Sequence, residues 1–245
     1  MIAAIIQART SSTRLPNKVF KKLCGKPLIW HIVNRLKYSK KIDKIILATT
    51  QNPKDSKIEN WALENAISCF RGSEENVLDR FYQAASRFSV NTIVRITADD
   101  PFKDPKIIDQ VIKLFEECDL DFANNNNPPT FPEGLDTEVF SYKALQKAWE
   151  NSEDNFEKEH VTQYFYRNPL LFKQQCLKNS IDLSYLRWTI DTQLDWKMTD
   201  IIYSKLYHSN TIFYMDDILD LLSKDPTISK INSMEIRSCM YNINY

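Results

Sequence analysis

The chain is 245 residues long with 43% hydrophobic and 12% aromatic residues, enough to bury a real core and too many for a disordered polymer. Lys and Arg number 32, as do Asp and Glu, and this balance argues against a general nucleic-acid binder, which is usually basic over a whole face. The five cysteines (Cys24, Cys69, Cys118, Cys176, Cys239) form no CxxC pair, the pattern of reduced thiols in a cytoplasmic protein rather than of a disulfide frame or zinc site.

Residues Ile2 to Ile6 are an unbroken apolar run, as expected of a strand buried on both faces of a parallel sheet. The run is too short for a signal-peptide core or a membrane span, so a soluble, cytoplasmic protein with no membrane partner is expected. Arg9, Arg14 and Lys18 follow, with hydroxyls at Thr10, Ser11, Ser12 and Thr13 between them. Such a loop can bind a polyanion through amides, hydroxyls and fixed charge, or it can be a solvated basic loop on an ordinary βα unit. The charge is also unevenly spread. Residues 1–42 hold ten Lys or Arg and no acid, which leaves 22 basic and 32 acidic residues for the remainder.

Pro27 opens a helix to Lys37 with Leu28, Ile29, Ile32, Val33 and Leu36 on one face; His31 beside them reads as structural. A second buried strand is predicted over 44–49, a helix over 54–66 and a short strand over 68–70. Ser73 is the expected cap of the next helix, whose apolar face is Val77, Leu78, Phe81, Tyr82, Ala85 and Phe88. Strand alternating with helix predicts a mainly parallel sheet with right-handed crossovers, an α/β fold.

Thr92–Thr97 is the next strand, and Asp99-Asp100-Pro101 stands at its C-terminal end, the edge where open α/β sheets bind ligands. Carboxylates there facing a basic loop suit Mg²⁺, which takes one or two carboxylates together with phosphate oxygens; the other reading is an Asx turn closed by proline. A helix over 105–118 and a strand near 121–123 precede a loop of four asparagines and two prolines. Residues 141–150 read as helix. The stretch 120–180 breaks the βα rhythm. A last strand is predicted over 186–190, ending in Asp191, with Asp195 one helical turn on as a helix N-terminal charge. Helices over 194–207 and 215–223 close the chain.

The pattern Gln7-Ala8-Arg9, Ser12-Thr13-Arg14-Leu15-Pro16, Lys18 and Gly25-Lys26-Pro27 resembles the signature loop of sugar-activating nucleotidyltransferases. It is most similar to the cytidylyltransferases of the spore coat polysaccharide biosynthesis family, relatives of the synthetases that make CMP-Kdo and CMP-sialic acid. The resemblance covers residues 1–210 or so. It implies a Rossmann-like, GT-A-like nucleotidyltransferase fold in one domain over 1–245, with helices on both sheet faces. The excursion at about 120–180 would serve acceptor binding and pairing into a homodimer.

The resemblance also implies roles. Arg9, Arg14 and Lys18 would hold the triphosphate of CTP and serve as the catalytic cations. Gln7, Ala8 and Ser12 would complete the nucleotide loop, with backbone contacts around Gln7 and Ala8 reading the base. Arg71, Gly72 and Ala98 would line the nucleotide, Ala98 standing where the relatives have glycine. Asp99 and Asp191 match the metal-binding aspartates and would hold Mg²⁺. Asp136, Glu138 and His160 would meet the acceptor, an acidic sugar or a phosphate or phosphonate. Lys158 replaces the relatives' usual arginine, losing a bidentate fork. The expected reaction is attack by an acceptor oxygen on the α-phosphorus with loss of pyrophosphate, for surface polysaccharide synthesis. Two alternatives stay open: a glycosyltransferase of similar fold, and a non-catalytic nucleotide-binding subunit.

Overall fold

The apolar opening run is β1, Ile2–Gln7, and its alternate residues face two different cores. Ala4 and Ile6 pack into one and Ala3 and Ile5 into the other, all four without exposed surface, because a central parallel strand has no solvent face. The structure is a computed structural model that describes residues 1–11 and 14–235.

After the loop come the two-residue strands β2 (Lys22–Leu23) and β3 (Lys26–Pro27), which form a small antiparallel hairpin, and helix α1 (Leu28–Leu36). Then β4 (Lys44–Thr50), α2 (Ser56–Glu64), β5 (Ser68–Gly72), α3 (Val77–Arg87), β6 (Thr92–Thr97) and α4 (Pro105–Glu117) follow in the alternation that the periodicity predicts. The α3 cap differs from expectation. Asn76 accepts the amide of Asp79, while Ser73 accepts the amide of Asn76 one step earlier.

The stretch 120–180 supplies the far side of the sheet. It contributes β7 (Phe122–Asn124), β8 (Glu138–Ser141), helices α5 (Tyr142–Asn151), α6 (Asn155–His160) and α7 (Gln163–Arg167), and β9 (Gln174–Cys176). Helices α8 (Gln193–Leu206), α9 (Met215–Lys224) and α10 (Thr227–Lys230) follow. Among the described residues one seven-stranded sheet runs β5-β4-β1-β6-β8-β7-β9. The first four strands are parallel, β8 is antiparallel to both β6 and β7, and β9 runs parallel to β7.

The strand expected over Leu186–Ile190 is absent. That segment makes one isolated parallel bridge, Arg187 with Glu133, through the Glu133 amide to the Leu186 carbonyl (2.9 Å) and the Trp188 amide to the Glu133 carbonyl (2.7 Å). Its apolar residues are buried all the same, so the run that reads as a strand is a packed extended segment beside the sheet. Gly134, with φ +103°, lies against it, and a Cβ there would stand 2.8 Å from the Trp188 carbonyl carbon. Among the described residues no helix is long and apolar enough to cross a membrane.

Candidate active site

Loop 8–18 leaves the C-terminal end of β1 and is tied at both ends. The Asn17 amide donates to the Thr10 carbonyl (3.1 Å), and the Thr10 amide and hydroxyl both donate to Asp55 Oδ1 (2.7 Å each). Asp55 is itself buried and bonded to the Thr50 hydroxyl, so the loop is anchored on the β4–α2 junction. Asn17 is left-handed (φ 56°) and turns the chain into a short 3-10 helix over Lys18–Phe20, which drives Lys18 inward to 8% exposure.

There the Lys18 ammonium donates to Asp99 Oδ2 (3.0 Å), Asp191 Oδ1 (2.9 Å) and the Ile190 carbonyl (2.7 Å). Arg14 Nη2 reaches Asp191 Oδ2 at 3.2 Å from a largely exposed side chain. Three residues separated by up to 173 positions thus meet at one point. Asp99 arrives just past β6, and its carbonyl accepts the Ile190 amide (2.9 Å), joining the two carboxylate-bearing segments.

The charges hold one another in place. Burial disfavours the Lys18 ammonium, but the Asp99 and Asp191 carboxylates outweigh that and raise its pKa. Burial likewise opposes the Asp99 carboxylate, and Lys18 outweighs it, leaving the Asp99 pKa lowered. Asp100 is turned away into a buried ion pair with Lys103 (2.9 Å) and accepts the Thr97 hydroxyl (2.6 Å). Burial raises its pKa, the Lys103 charge works against that, and the Asp99 charge adds to it. Asp100 therefore packs inward while Asp99 faces the cluster.

The donor set fits a hard divalent cation. Two carboxylates converge on a point that already holds one positive charge, and Mg²⁺ is bound by one or two carboxylates with substrate phosphates and water completing its shell. Among the described residues no group of three or more His, Cys, Asp or Glu could hold a metal, so the other positions would fall to phosphate and water.

Asp191 is placed by a network that the sequence hides. Asp195 Oδ2 accepts the Asp191 amide (3.0 Å) and the Thr192 amide (2.9 Å), while the Thr192 hydroxyl accepts the Asp195 amide, closing a capping box at the start of α8. Arg187 grips Asp195 through Nε (3.0 Å) and Nη2 (3.1 Å), reaches Glu133 (2.8 Å), and approaches Asp191 at 3.5 Å. Burial opposes the Asp195 carboxylate, but Arg187 and the amides around it outweigh that and lower its pKa.

The other expected residues divide. Gln7 ends β1, and its Oε1 accepts Arg95 Nε (3.2 Å); Ala8 and Ala98 are buried, and the Ala8 amide donates to Ala48. Arg9 is exposed, with its charge close enough to Arg80 to act on it. Ser12 lies outside the described residues. Arg71 donates to the Thr50 and Asn52 carbonyls, Ser56 and Glu59, so its guanidinium binds β4 to α2. Gly72 makes room for Arg80, whose Cγ would stand 3.0 Å from an added Cβ.

Glu138 is buried and fully engaged, bonding Arg95 (2.5 Å), the Thr162 hydroxyl (2.9 Å) and the Tyr166 hydroxyl (2.7 Å). His160 ends α6 and joins Thr162, which bonds Glu138, across a γ-turn in which Val161 takes φ 56°, a strained value for a β-branched residue. Burial lowers the His160 pKa; the Glu159 charge works against that and Arg95 adds to it. The Asp136 carbonyl accepts Lys103 Nζ, and Lys158 donates to the Glu153 carbonyl. Sequence reasoning missed Arg95, Arg187, Glu133, Asn232 and Arg80. A charged residue inside an apolar strand, as in Thr92-Ile-Val-Arg95-Ile-Thr97, is the one available signal.

Known proteins of similar sequence and shape place the chain in a family. The cytidylyltransferase family model matches residues 3–236. The chain is 32% identical to the spore coat polysaccharide biosynthesis protein SpsF of Bacillus subtilis over 233 residues, 92% of this chain and 95% of that one. It is 31% identical to the 3-deoxy-manno-octulosonate cytidylyltransferase of Nitratidesulfovibrio vulgaris over 124 residues, 49% of this chain and 48% of that enzyme. A solved cytidylyltransferase structure from Leptospira borgpetersenii superposes with a TM-score of 0.88 at 32% identity, covering 93% of this chain and 96% of that one. With a family match over nearly its whole length, the chain belongs to the cytidylyltransferase family and is a nucleotidyltransferase.

Proposed function

We propose that the protein transfers CMP from CTP to an acidic sugar, with release of pyrophosphate, in the synthesis of a surface polysaccharide. The observation that supports this most is the meeting of Lys18 with Asp99 and Asp191 at the end of a cation-rich loop. A triphosphate needs more positive charge than a diphosphate sugar, and Arg9, Arg14 and Lys18 supply it. The acidic-sugar acceptor is supported by the names of two relatives, one acting on 3-deoxy-manno-octulosonate and the other in polysaccharide biosynthesis.

In this reading Arg9 and Arg14 grip the outer phosphates from the exposed side of the loop. Lys18 leaves the carboxylates and donates to the oxygens between the α and β phosphates, where charge builds as the bond to pyrophosphate breaks. Gln7 and Ala8 present the base to the end of β1. Asp99 and Asp191 would hold Mg²⁺, which supplies charge neutralisation at the α-phosphate. An acceptor oxygen then attacks the α-phosphorus in line from the side of Asp136, Glu138 and His160. Glu138 shapes that side by fixing Arg95 and Tyr166.

The test is incubation with CTP, Mg²⁺ and a panel of acidic sugars, following pyrophosphate. Release that requires both CTP and one acid supports the reading. Binding of CTP without turnover over a broad panel would instead indicate a nucleotide-binding subunit, and indifference to CTP a glycosyltransferase.

A further inference from the structure

Asp191 is carried by a segment outside the sheet, so no β-ladder holds it. The nearby carboxylate Asp99 follows β6 directly, and β6 is hydrogen-bonded on both sides. The segment from Leu186 to Asp191 has only one isolated bridge in its place. Beyond that bridge and the Ile190 amide bond to the Asp99 carbonyl (2.9 Å), side chains hold it in position.

The chain closes on it from an unexpected quarter. Asn232 lies beyond α10, in a tail whose sequence suggests no chemistry, yet it is 3% exposed. Its side-chain amide donates to the Arg187 carbonyl (2.9 Å) and to Asp195 Oδ1 (2.8 Å). These two acceptors belong to opposite ends of the Asp191 segment. Asp195 passes the constraint on, because its other oxygen accepts the Asp191 amide at 3.0 Å. With Arg187 filling the remaining positions, the Asp195 carboxylate has no exposed side-chain surface and no freedom to turn.

We propose that Asn232 is a positioning residue for Asp191, clamping the Arg187 carbonyl to the Asp195 carboxylate so that the Asp191 carboxylate stands where a nucleotide-borne divalent cation arrives. This rests on the reading of Asp191 as a metal ligand. The closing tail is then part of the active site's support. Partners one step removed from a metal ligand, as Asp195 is here, set its orientation, and losing one usually weakens metal affinity about 10–100-fold; Asn232 acts through Asp195, so the low end of that range applies to it.

The experiment measures Mn²⁺ binding by electron paramagnetic resonance on the full chain in the presence of the α,β-methylene analogue of CTP, which cannot release pyrophosphate. Native protein is compared with Asn232→Ala, which loses both hydrogen bonds, and Asn232→Ser, which keeps one donor. Affinity of the analogue alone is measured by calorimetry in a chelator, and folding by urea titration. The expected result is Mn²⁺ binding weakened about tenfold or more in Asn232→Ala and less in Asn232→Ser, with chelator-state affinity within about twofold of native. Native Mn²⁺ affinity in folded Asn232→Ala overturns the proposal, as does an equal loss of analogue affinity without metal. Collapse of both variants makes Asn232 a folding residue and overturns it too. If the native chain itself binds no Mn²⁺, the metal reading of Asp191 fails, and the proposal with it.

Discussion

The ammonium of Lys18 lies 2.9 Å from Oδ1 of Asp191 and holds the place of a cation between that carboxylate and Asp99. In the proposed reaction Lys18 must move from neutralising these two acids to stabilising the transition state. Lys18→Ala should therefore shift two quantities in opposite directions. Turnover should fall about 10²-fold or more, the scale of losing one preorganised donor. Mn²⁺ binding without nucleotide should strengthen, because the competing ammonium is gone. Calorimetric titration of both proteins with Mn²⁺ alone checks this, and weaker binding in the variant would remove Lys18 from between the acids.

Asp191 and Asp195 are four residues apart and should respond to amidation in contrasting ways. Asp191 keeps 21% of its side-chain surface, and the Lys18 ammonium retains Asp99 if Asp191 is lost. Asp191→Asn should abolish turnover with a stability change within about 1 kcal/mol, as for a partly solvated pair. Asp195 is the fully buried partner of the Arg187 fork. Asp195→Asn should cost about 3 kcal/mol, since it breaks a buried two-oxygen ion pair and leaves the Arg187 guanidinium to Glu133 alone. Urea unfolding curves set beside turnover separate the two.

Much of this is legible in the sequence, for identifiable reasons. Ile2–Ile6 and Thr92–Thr97 declare themselves as strands because burial on both faces leaves an apolar run. Arg14, Lys18, Asp99 and Asp191 stand out through a fixed local frame, and the structure brings Lys18, Asp99 and Asp191 together. Leu186–Ile190 misleads because an extended segment packed against a core has the composition of a strand, and only its hydrogen-bond partners tell them apart. Arg71 is expected near the nucleotide, and its guanidinium bonds β4 and α2; which way a strand-end side chain turns is not written in the local sequence. Asn232 is invisible because its partners lie 37 and 45 residues away.

Arg80 is a cation buried to 3% exposure. Among the described residues no carboxylate forms an ion pair with it; it donates to the Ser73 carbonyl (2.7 Å), and its Nε has no partner. Burial, and after it the charge of Arg9, pulls its pKa down to about 10, while the charges of Asp55 and Glu74 work against that. An unpaired buried charge costs stability, and an apolar replacement of similar volume is often neutral or stabilising. Arg80→Met should leave the ligand-free melting temperature unchanged or raised and weaken CTP binding about tenfold or more, on the scale of one charge-assisted contact. Thermal melts with and without CTP test both halves. A marked drop in the ligand-free melt would assign Arg80 to the core alone.

His31 gives the fold a pH dependence of known sign. Its Nε2 lies 2.8 Å from the Leu23 carbonyl, and the rings of Trp30, Tyr203 and Tyr207 pack against it edge-to-face with centroids 4.7–5.2 Å away. Burial is the main force that takes its pKa from 6.5 to about 4; the Leu23 bond works against that, and Arg35 and Lys26 add to it. The native imidazole is thus neutral and donates to Leu23. Between pH 6.5 and 4 the unfolded chain binds a proton at this residue that the folded chain refuses, so stability is full above 6.5 and drains as pH falls through that window. At pH 4.5 the loss from this group should be roughly 2–3 kcal/mol, since each pH unit below 6.5 removes about 1.4 kcal/mol. His31→Gln keeps an N–H for Leu23 but cannot titrate, so the difference between its urea stabilities at pH 7 and pH 4.5 should be smaller than native by that amount. Carboxylates and His160 titrate in both proteins and cancel in the comparison. Equal pH differences in the two proteins would mean that His31 takes up its proton as readily folded as unfolded.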